Sequence, residues 1–261
     1  MPTIPDINAM LLQPLLHTSF LGRTLISEFE LASTNITAAE LGDANAPEGL
    51  VVVTDHQTAG RGRNGRSWLS PPNKNLYFSI LLRPACPPAA VPQLAILTAL
   101  SISKALPLPD ITIKWPNDVW MNGRKLCGIL SAMSCMGDKT DYAVIGIGIN
   151  VNMRDFPDDI QGTSLALETG REFHRSEVLA SVLDSIEEDY LLWRQHQSLS
   201  TFMERWTKCS LLDGRTITAE HGRELLRGTA CGITPEGLLK LKCTDGVTRL
   251  IAAGDTHIPL S

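Results

Sequence analysis

The sequence has no apolar run long enough to cross a membrane. A spanning helix needs roughly 18 to 20 consecutive apolar residues, and no stretch of this 261-residue chain approaches that length. The N-terminal segment also lacks the features of a secretory signal, because no basic residue precedes the apolar run at 10–12 and prolines interrupt the segment. We therefore expect a cytoplasmic protein with no membrane partner.

The six cysteines and six histidines lack the spacing of metal sites or disulfide frameworks. There is no Cys-x-x-Cys pair and no His-Glu-x-x-His pattern. In a reducing compartment we expect most of the cysteines to be small, buried apolar residues.

Basic residues are not in excess, since 23 Lys and Arg stand against 28 Asp and Glu, for a net charge of −5. General electrostatic binding of nucleic acid requires the opposite balance. The first 25 residues are also too few for a winged-helix DNA-binding domain. We expect no DNA partner, so any anion-binding function must rest on a local cluster of basic residues.

Such a cluster occupies residues 60–68, with the sequence GRGRNGRSW. Glycine lets backbone N–H groups approach a ligand closely, and arginine supplies planar sets of donors for phosphate or carboxylate. The indole of Trp68 offers a stacking face. The segment predicts a loop that binds an anion such as a nucleotide or an acyl phosphate, although a solvated basic surface loop has the same composition.

Four further motifs accompany this loop: Ser-Thr-Asn at 33–35, Lys-Trp-Pro-Asn-Asp at 114–118, Gly-Arg-Lys-Leu-Cys-Gly-Ile-Leu at 123–130 and Gly-Ile-Gly-Ile-Asn-Val-Asn at 146–152. In this order and at similar spacing, they resemble the motifs of the biotin–protein ligases, over about residues 29–152. The resemblance is to the monofunctional form, which has no N-terminal DNA-binding domain. The combination is far more specific than any one motif.

The hydrophobic pattern predicts a mixed α+β chain. Apolar, β-branched segments at 50–54, 76–82, 111–113, 119–121, 126–133 and 142–150 indicate strands, and Asn122-Gly123 indicates a hairpin turn. Helices are predicted after Ser33, from Pro92 until Pro107 ends it, and from a cap at Ser176 with an apolar stripe between 178 and 190. Short strands at 215–219, 224–232, 238–243 and 247–252 predict a small β-barrel.

The family resemblance implies a more specific architecture. It implies a catalytic domain at 1–209 with a mixed β-sheet like that of class II aminoacyl-tRNA synthetases, flanked by helices. A small SH3-like β-barrel domain would follow at 210–261. Relatives form homodimers through exposed sheet edges, so a homodimer is possible here.

The resemblance also implies a two-step reaction. Biotin and ATP would form biotinyl-5′-AMP, and a lysine of a biotin carboxyl carrier protein, such as that of acetyl-CoA carboxylase, would then accept the biotinyl group. Mg²⁺ is expected to bridge triphosphate oxygens, with Asp118 as the candidate ligand. By motif position, biotin would be bound by Ser33, Thr34, Asn35, Gln57, Arg61, Gly62, Arg63 and Lys125. ATP would be bound by Arg63, Arg66, Trp68, Asn117, Asp118 and Asn150, and the catalytic residues would be Lys125, Arg61 and Lys114.

One departure from the family pattern is Asn64, which stands where relatives often have another basic residue. Two other functions remain open. A lipoate–protein ligase shares the fold class and the adenylate chemistry, and a non-catalytic biotin or nucleotide sensor could use the same pocket. Intact Lys114, Lys125 and all three loop arginines argue against lost catalysis.

Overall fold

The chain forms one large mixed sheet and one small antiparallel sheet. The computed structural model describes residues 7–106, 108–222 and 224–258. The strands are β1 (Leu25–Leu31), β2 (Val51–Gln57), β3 (Leu76–Leu82), β4 (Ile111–Lys114), β5 (Asp118–Met121), β6 (Arg124–Met136), β7 (Lys139–Ile149), β8 (Thr216–His221), β9 (Glu224–Ile233), β10 (Leu239–Cys243), β11 (Thr248–Ile251) and β12 (Thr256–His257). The helices are α1 (Ala9–Leu12), α2 (Thr34–Asp43), α3 (Pro92–Ala105), α4 (Leu165–Thr169), α5 (Arg175–His196) and α6 (Met203–Cys209).

The large sheet has the strand order β1-β2-β3-β7-β6-β5-β4. The β1–β2 pair is parallel, and the other neighbouring pairs are antiparallel. The small sheet has the order β11-β10-β9-β8-β12. The predicted α+β fold class, with a large mixed sheet and a small C-terminal β unit, is therefore confirmed. The domain boundary at 209/210 stays a prediction.

The two faces of the large sheet have different surroundings. Alternate residues of a strand point to opposite faces. Val51 and Val53 belong to the main core, which includes side chains of α3 and α5, whereas Val52 belongs to a smaller cluster with Ala38 of α2. Helices α3 and α5 therefore cover one face, and α2 covers only part of the other. The uncovered part of the α2 face leaves room for a ligand.

Most of the predicted elements are present. The helix after Ser33, the helix from Pro92 and the strands match within a few residues. The predicted hairpin turn is confirmed, because Asn122 and Gly123 have φ values of 48° and 74°, as a two-residue turn of this type requires. Pro107, which was expected to end α3, lies outside the described residues.

The predicted start of helix α5 was wrong. The helix begins at Arg175 with His174 as its N-cap, whereas the sequence predicted Ser176 as the N-cap. The reason is tertiary: Arg175 is buried and pairs with Asp55 at 2.6 Å, which places the first turn of α5 against the sheet.

The expectation that most cysteines are buried holds for only half of them, Cys86, Cys127 and Cys243. Cys135 and Cys231 lie at exposed positions of β6 and β9.

Strand β12 had no signal in the sequence, because two residues are too few to show a pattern. Within the described ranges, no helix combines the length and apolar character that crossing a bilayer requires.

Candidate functional site

A cavity lies on the α2 face of the large sheet. Its walls are the start of α2, the arginine loop (residues 60–68), the segment 153–162 and Asp255, next to β12 of the small sheet. Thirteen of the fourteen site residues predicted from the sequence line it: Ser33, Thr34, Asn35, Gln57, Arg61, Gly62, Arg63, Arg66, Trp68, Asn117, Asp118, Lys125 and Asn150. Segments that are far apart in the chain thus meet in one place, although their roles there stay predictions.

The cavity floor owes its depth to glycines on β7. Ile145, Ile147 and Ile149 point into the main core, and the alternate residues Gly146 and Gly148 face the cavity. A Cβ atom at Gly146 would overlap the Asn35 amide, and one at Gly148 would overlap the Trp68 indole. The glycine–isoleucine alternation therefore lets two cavity side chains lie directly on the sheet.

Hydrogen-bonding side chains form one end of the cavity. The Thr34 N–H donates to Gln57 Oε1 at 3.0 Å, and Asn35 Nδ2 donates to the Leu130 carbonyl at 3.1 Å. Ser79 Oγ lies 2.8 Å from Thr34 Oγ1 and 2.6 Å from Asn35 Oδ1. Donors and acceptors are thereby held in fixed positions, as binding a small polar ring requires.

A β-bulge directs the Lys125 side chain into the cavity. The register of β5 and β6 shifts between the pairs Val119–Cys127 and Trp120–Lys125. Leu126 and Cys127 are consequently both buried in the core, while Lys125 lines the cavity. Its Nζ lies 2.8 Å from Asp118 Oδ1 and 5.3 Å from the centroid of the Trp68 ring.

The arginine loop is anchored to two other parts of the molecule. Asn64 has a φ of 54°, a left-handed conformation that asparagine adopts more readily than most residues. Arg63 donates to Asn117 Oδ1 at 3.1 Å and to the Gly254 carbonyl at 2.9 Å. Arg66 forms an ion pair with Asp255, so the loop is connected to the small C-terminal sheet.

The cavity is positively charged in a protein that is negatively charged overall. Its described lining holds four cations, Arg61, Arg63, Arg66 and Lys125, and two carboxylates, Asp118 and Asp255. The lining thus has an excess of two positive charges, against a net charge of −5 for the whole chain. This is the local basic site that an anionic ligand requires.

Lys114 is the one predicted site residue outside the cavity lining. Its Nζ lies 5.0 Å from the centroid of the Trp120 ring, on the neighbouring strand. Burial lowers the pKa of Lys114, and the adjacent Asp118 partly opposes that effect. Its catalytic role stays a prediction. Trp115, in contrast, is a buried packing residue, and its Nε1 donates to the Gly237 carbonyl at 3.0 Å.

Both parts of the chain match families of known proteins. Residues 28–150 match the Biotin/lipoate A/B protein ligase family, and residues 214–255 match the Biotin protein ligase C terminal domain. The bifunctional ligase/repressor BirA of Bacillus subtilis is 37% identical over 245 residues, which cover 91% of this chain and 75% of that protein. The chain belongs to the biotin protein ligase family.

Other relatives agree with this assignment. A biotin--[acetyl-CoA-carboxylase] ligase of Mycobacterium tuberculosis is 31% identical over 221 residues, covering 80% of this chain and 78% of that protein. A structure of the biotin protein ligase from Aquifex aeolicus in complex with biotin and ATP superimposes with a TM-score of 0.78 at 32% identity. The superposition covers 91% of this chain and 100% of the Aquifex aeolicus chain.

Several residues in or beside this cavity were not predicted from the sequence. Ser79 looks like an ordinary strand residue, and Asp255 lies about 190 residues after the arginines that it contacts. The wall formed by Met153, Phe156 and Ile160 has no motif either. The one available signal was the serine within the otherwise apolar β3, because a polar residue in a fully buried strand needs a partner.

Proposed function

We propose that this protein activates biotin with ATP to biotinyl-5′-AMP and transfers the biotinyl group to a lysine of a biotin carboxyl carrier protein. The observation that supports this most is that Lys125 lines the same cavity as the polar residues of α2 and the residues of the arginine loop. We expect its ammonium group to contact both the biotin carboxylate and the ATP phosphate.

The polar end suits the ureido ring of biotin. Thr34 and Gln57 orient each other, Ser79 and the Leu130 carbonyl orient Asn35, and Ser33 adds a further hydroxyl group. Trp68 and the glycine floor supply apolar surface for the rest of the molecule. The biotin carboxylate would then extend towards Lys125.

The cations suit the chemistry of adenylation. An oxygen of the biotin carboxylate attacks the α-phosphorus of ATP, a mixed anhydride forms, and the bond to pyrophosphate breaks. Negative charge develops on phosphate oxygens in the transition state, where fixed cations stabilise it most effectively. Lys125, Arg63 and Arg66 provide these cations once phosphate replaces the carboxylates of Asp118 and Asp255.

The second step needs a nucleophile from outside the chain. The neutral amine of a carrier lysine attacks the carbonyl carbon of the anhydride, AMP leaves with the bonding electron pair, and the nitrogen releases one proton to water. A biotin carboxyl carrier protein of acetyl-CoA carboxylase is the proposed acceptor, because relatives bear the name biotin--[acetyl-CoA-carboxylase] ligase.

Mg²⁺ fits the site as an ion that arrives with ATP. Among the described residues, no group of three His, Cys, Asp or Glu side chains could hold a metal ion. Triphosphate oxygens and waters are the usual ligands of Mg²⁺ in such enzymes. Asp118 is the residue that we assign to it, and the ion would neutralise charge on the departing pyrophosphate.

Two statements about assembly stay predictions. A homodimer through a sheet edge could use β1 or β4, the outer strands of the large sheet. We also continue to expect no DNA partner, from the charge balance of the chain.

The test is to incubate the purified protein with Mg²⁺, ATP, an apo carrier domain and either biotin or lipoate, and to follow the mass of the carrier. We expect a gain of one biotinyl group that requires ATP. A lipoyl gain instead would make the protein a lipoate–protein ligase. Tight biotin binding without any gain would make it a sensor, and either result would contradict the proposal.

A further inference from the structure

Glu168 is absent from the lining of the cavity but contacts residues on either side of Lys125. It belongs to the short helix α4, and its side chain is only 4% exposed. The carboxylate accepts hydrogen bonds from Asn122 Nδ2 at 2.6 Å, from Arg124 Nη2 at 2.7 Å and from Thr163 Oγ1. A buried carboxylate with three donors is a fixed anchor.

The three donors belong to the two chain segments that lie next to Lys125. Asn122 and Arg124 belong to the Lys125 hairpin, which we define as β5, the Asn122-Gly123 turn and the first residues of β6. Thr163 belongs to the segment that runs alongside this hairpin. Glu168 therefore connects the tip of the hairpin to its neighbouring segment.

The backbone of Lys125 lies between these two anchored parts. Its N–H donates to the Gln161 carbonyl at 2.9 Å, and its carbonyl accepts from the Thr163 N–H at 2.9 Å. On the β5 side Lys125 pairs with Trp120, directly beside the point where the register shifts at Leu126. Its backbone bonds to residues 161–163 therefore help to fix the direction in which its side chain leaves the strand.

The charge state of Glu168 suits this task. Burial alone would raise its pKa, but hydrogen bonds from Thr163 and Asn122 and the cation of Arg124 lower the pKa below its usual value. The carboxylate is thus ionised at neutral pH and accepts all three bonds at once.

We propose that Glu168 is a positioning residue that acts through Lys125, holding its ammonium group where the cavity binds phosphate. This inference rests on the proposed function, since it assumes that Lys125 contacts ATP. A small displacement of this ammonium group would lower the affinity for ATP strongly, because its contact with phosphate depends on precise geometry.

The experiment compares Glu168→Gln in two backgrounds. The amide keeps the shape of the side chain but loses its charge and one acceptor oxygen. Affinity for Mg²⁺–ATP is measured by titration calorimetry in the otherwise unchanged protein and in Lys125→Ala, together with biotin-dependent pyrophosphate exchange where Lys125 is present. The matched control is Glu187→Gln, because Glu187 is also buried and accepts several hydrogen bonds but lies outside the cavity.

We expect Glu168→Gln to weaken Mg²⁺–ATP binding about tenfold where Lys125 is present and to have no effect in the Lys125→Ala background. Glu187→Gln should lower the melting temperature without changing ATP affinity. Equal losses in both backgrounds, or a lower melting temperature with unchanged ATP affinity, would overturn the role of Glu168. An unchanged protein that binds ATP but shows no biotin-dependent exchange would refute the proposed function instead.

Discussion

Gly146 occupies a position on β7 where any side chain would overlap the amide of Asn35. That amide is held between Ser79 and the Leu130 carbonyl, so it cannot move without losing a hydrogen bond. The absence of a side chain at Gly146 thus lets Asn35, at the polar end of the cavity, lie against the sheet. The adjacent Ile145 and Ile147 continue the core on the opposite face.

Gly146→Ala should therefore displace Asn35 and weaken biotin binding about fivefold for each hydrogen bond lost, since a hydrogen bond of this kind contributes about 1 kcal/mol. Titration calorimetry with biotin measures the effect. Gly214→Ala is the control, because Gly214 has a φ of 78° and open space around it, away from the cavity. That variant should lose stability and keep its biotin affinity. Normal biotin binding by Gly146→Ala would contradict our account of the floor.

At the scale of secondary-structure elements, the strands and helices could largely be predicted because their signals are local. Apolar runs and the Asn122-Gly123 turn lie within short segments of sequence. The Ser176 cap failed because a distant partner, Asp55, determines where α5 begins. Most of the cavity could be predicted because family motifs are also local, whereas Ser79, Glu168 and Asp255 join the site only through the fold.

Helix α5 also holds the segment between α1 and β1. Glu187 accepts hydrogen bonds from the backbone N–H groups of Ser19, Phe20 and Leu21. Burial opposes ionisation, but these bonds together lower the pKa of Glu187 below the usual value of a glutamate side chain. A lowered carboxyl pKa stabilises the folded state above the unfolded pKa, and this contribution is lost as the pH falls through the folded pKa.

Glu187→Gln should accordingly reduce the free energy of unfolding by about 2 kcal/mol at neutral pH. The difference from the unchanged protein should diminish once the pH falls below about 4.5. Urea denaturation at a series of pH values measures it. Glu204→Gln, at a fully exposed position, is the control and should show little change. A stability difference that is independent of pH would contradict the claim that Glu187 accepts these hydrogen bonds in its ionised form.

At the scale of the whole molecule, the small sheet contributes to the cavity. Asp255 precedes β12 and pairs with Arg66, while the neighbouring Gly254 carbonyl accepts from Arg63. Asp255 is largely buried, so its interactions are less screened than those of a surface ion pair. The C-terminal part of the chain therefore restrains the arginine loop.

Asp255→Asn should loosen that restraint and expose the loop to protease. We expect trypsin to cleave after Arg61, Arg63 or Arg66 several times faster in this variant, because cleavage follows the population of the open loop. Mass spectrometry of a timed digest gives the rate. Asp245→Asn, which removes an exposed ion pair to Arg249 in the same sheet, is the control. Equal cleavage rates in all three proteins would show that Asp255 does not hold the loop.

The central claim is that Lys125 serves as the cation at which biotin and ATP react. Biotin-dependent exchange of pyrophosphate into ATP measures the first step without a carrier protein. We predict that the unchanged protein and Lys139→Ala, which removes a lysine at an exposed position outside the cavity, exchange at similar rates. Lys125→Ala should lose about 100-fold or more while its melting temperature stays close to normal. Near-normal exchange by Lys125→Ala would contradict the account.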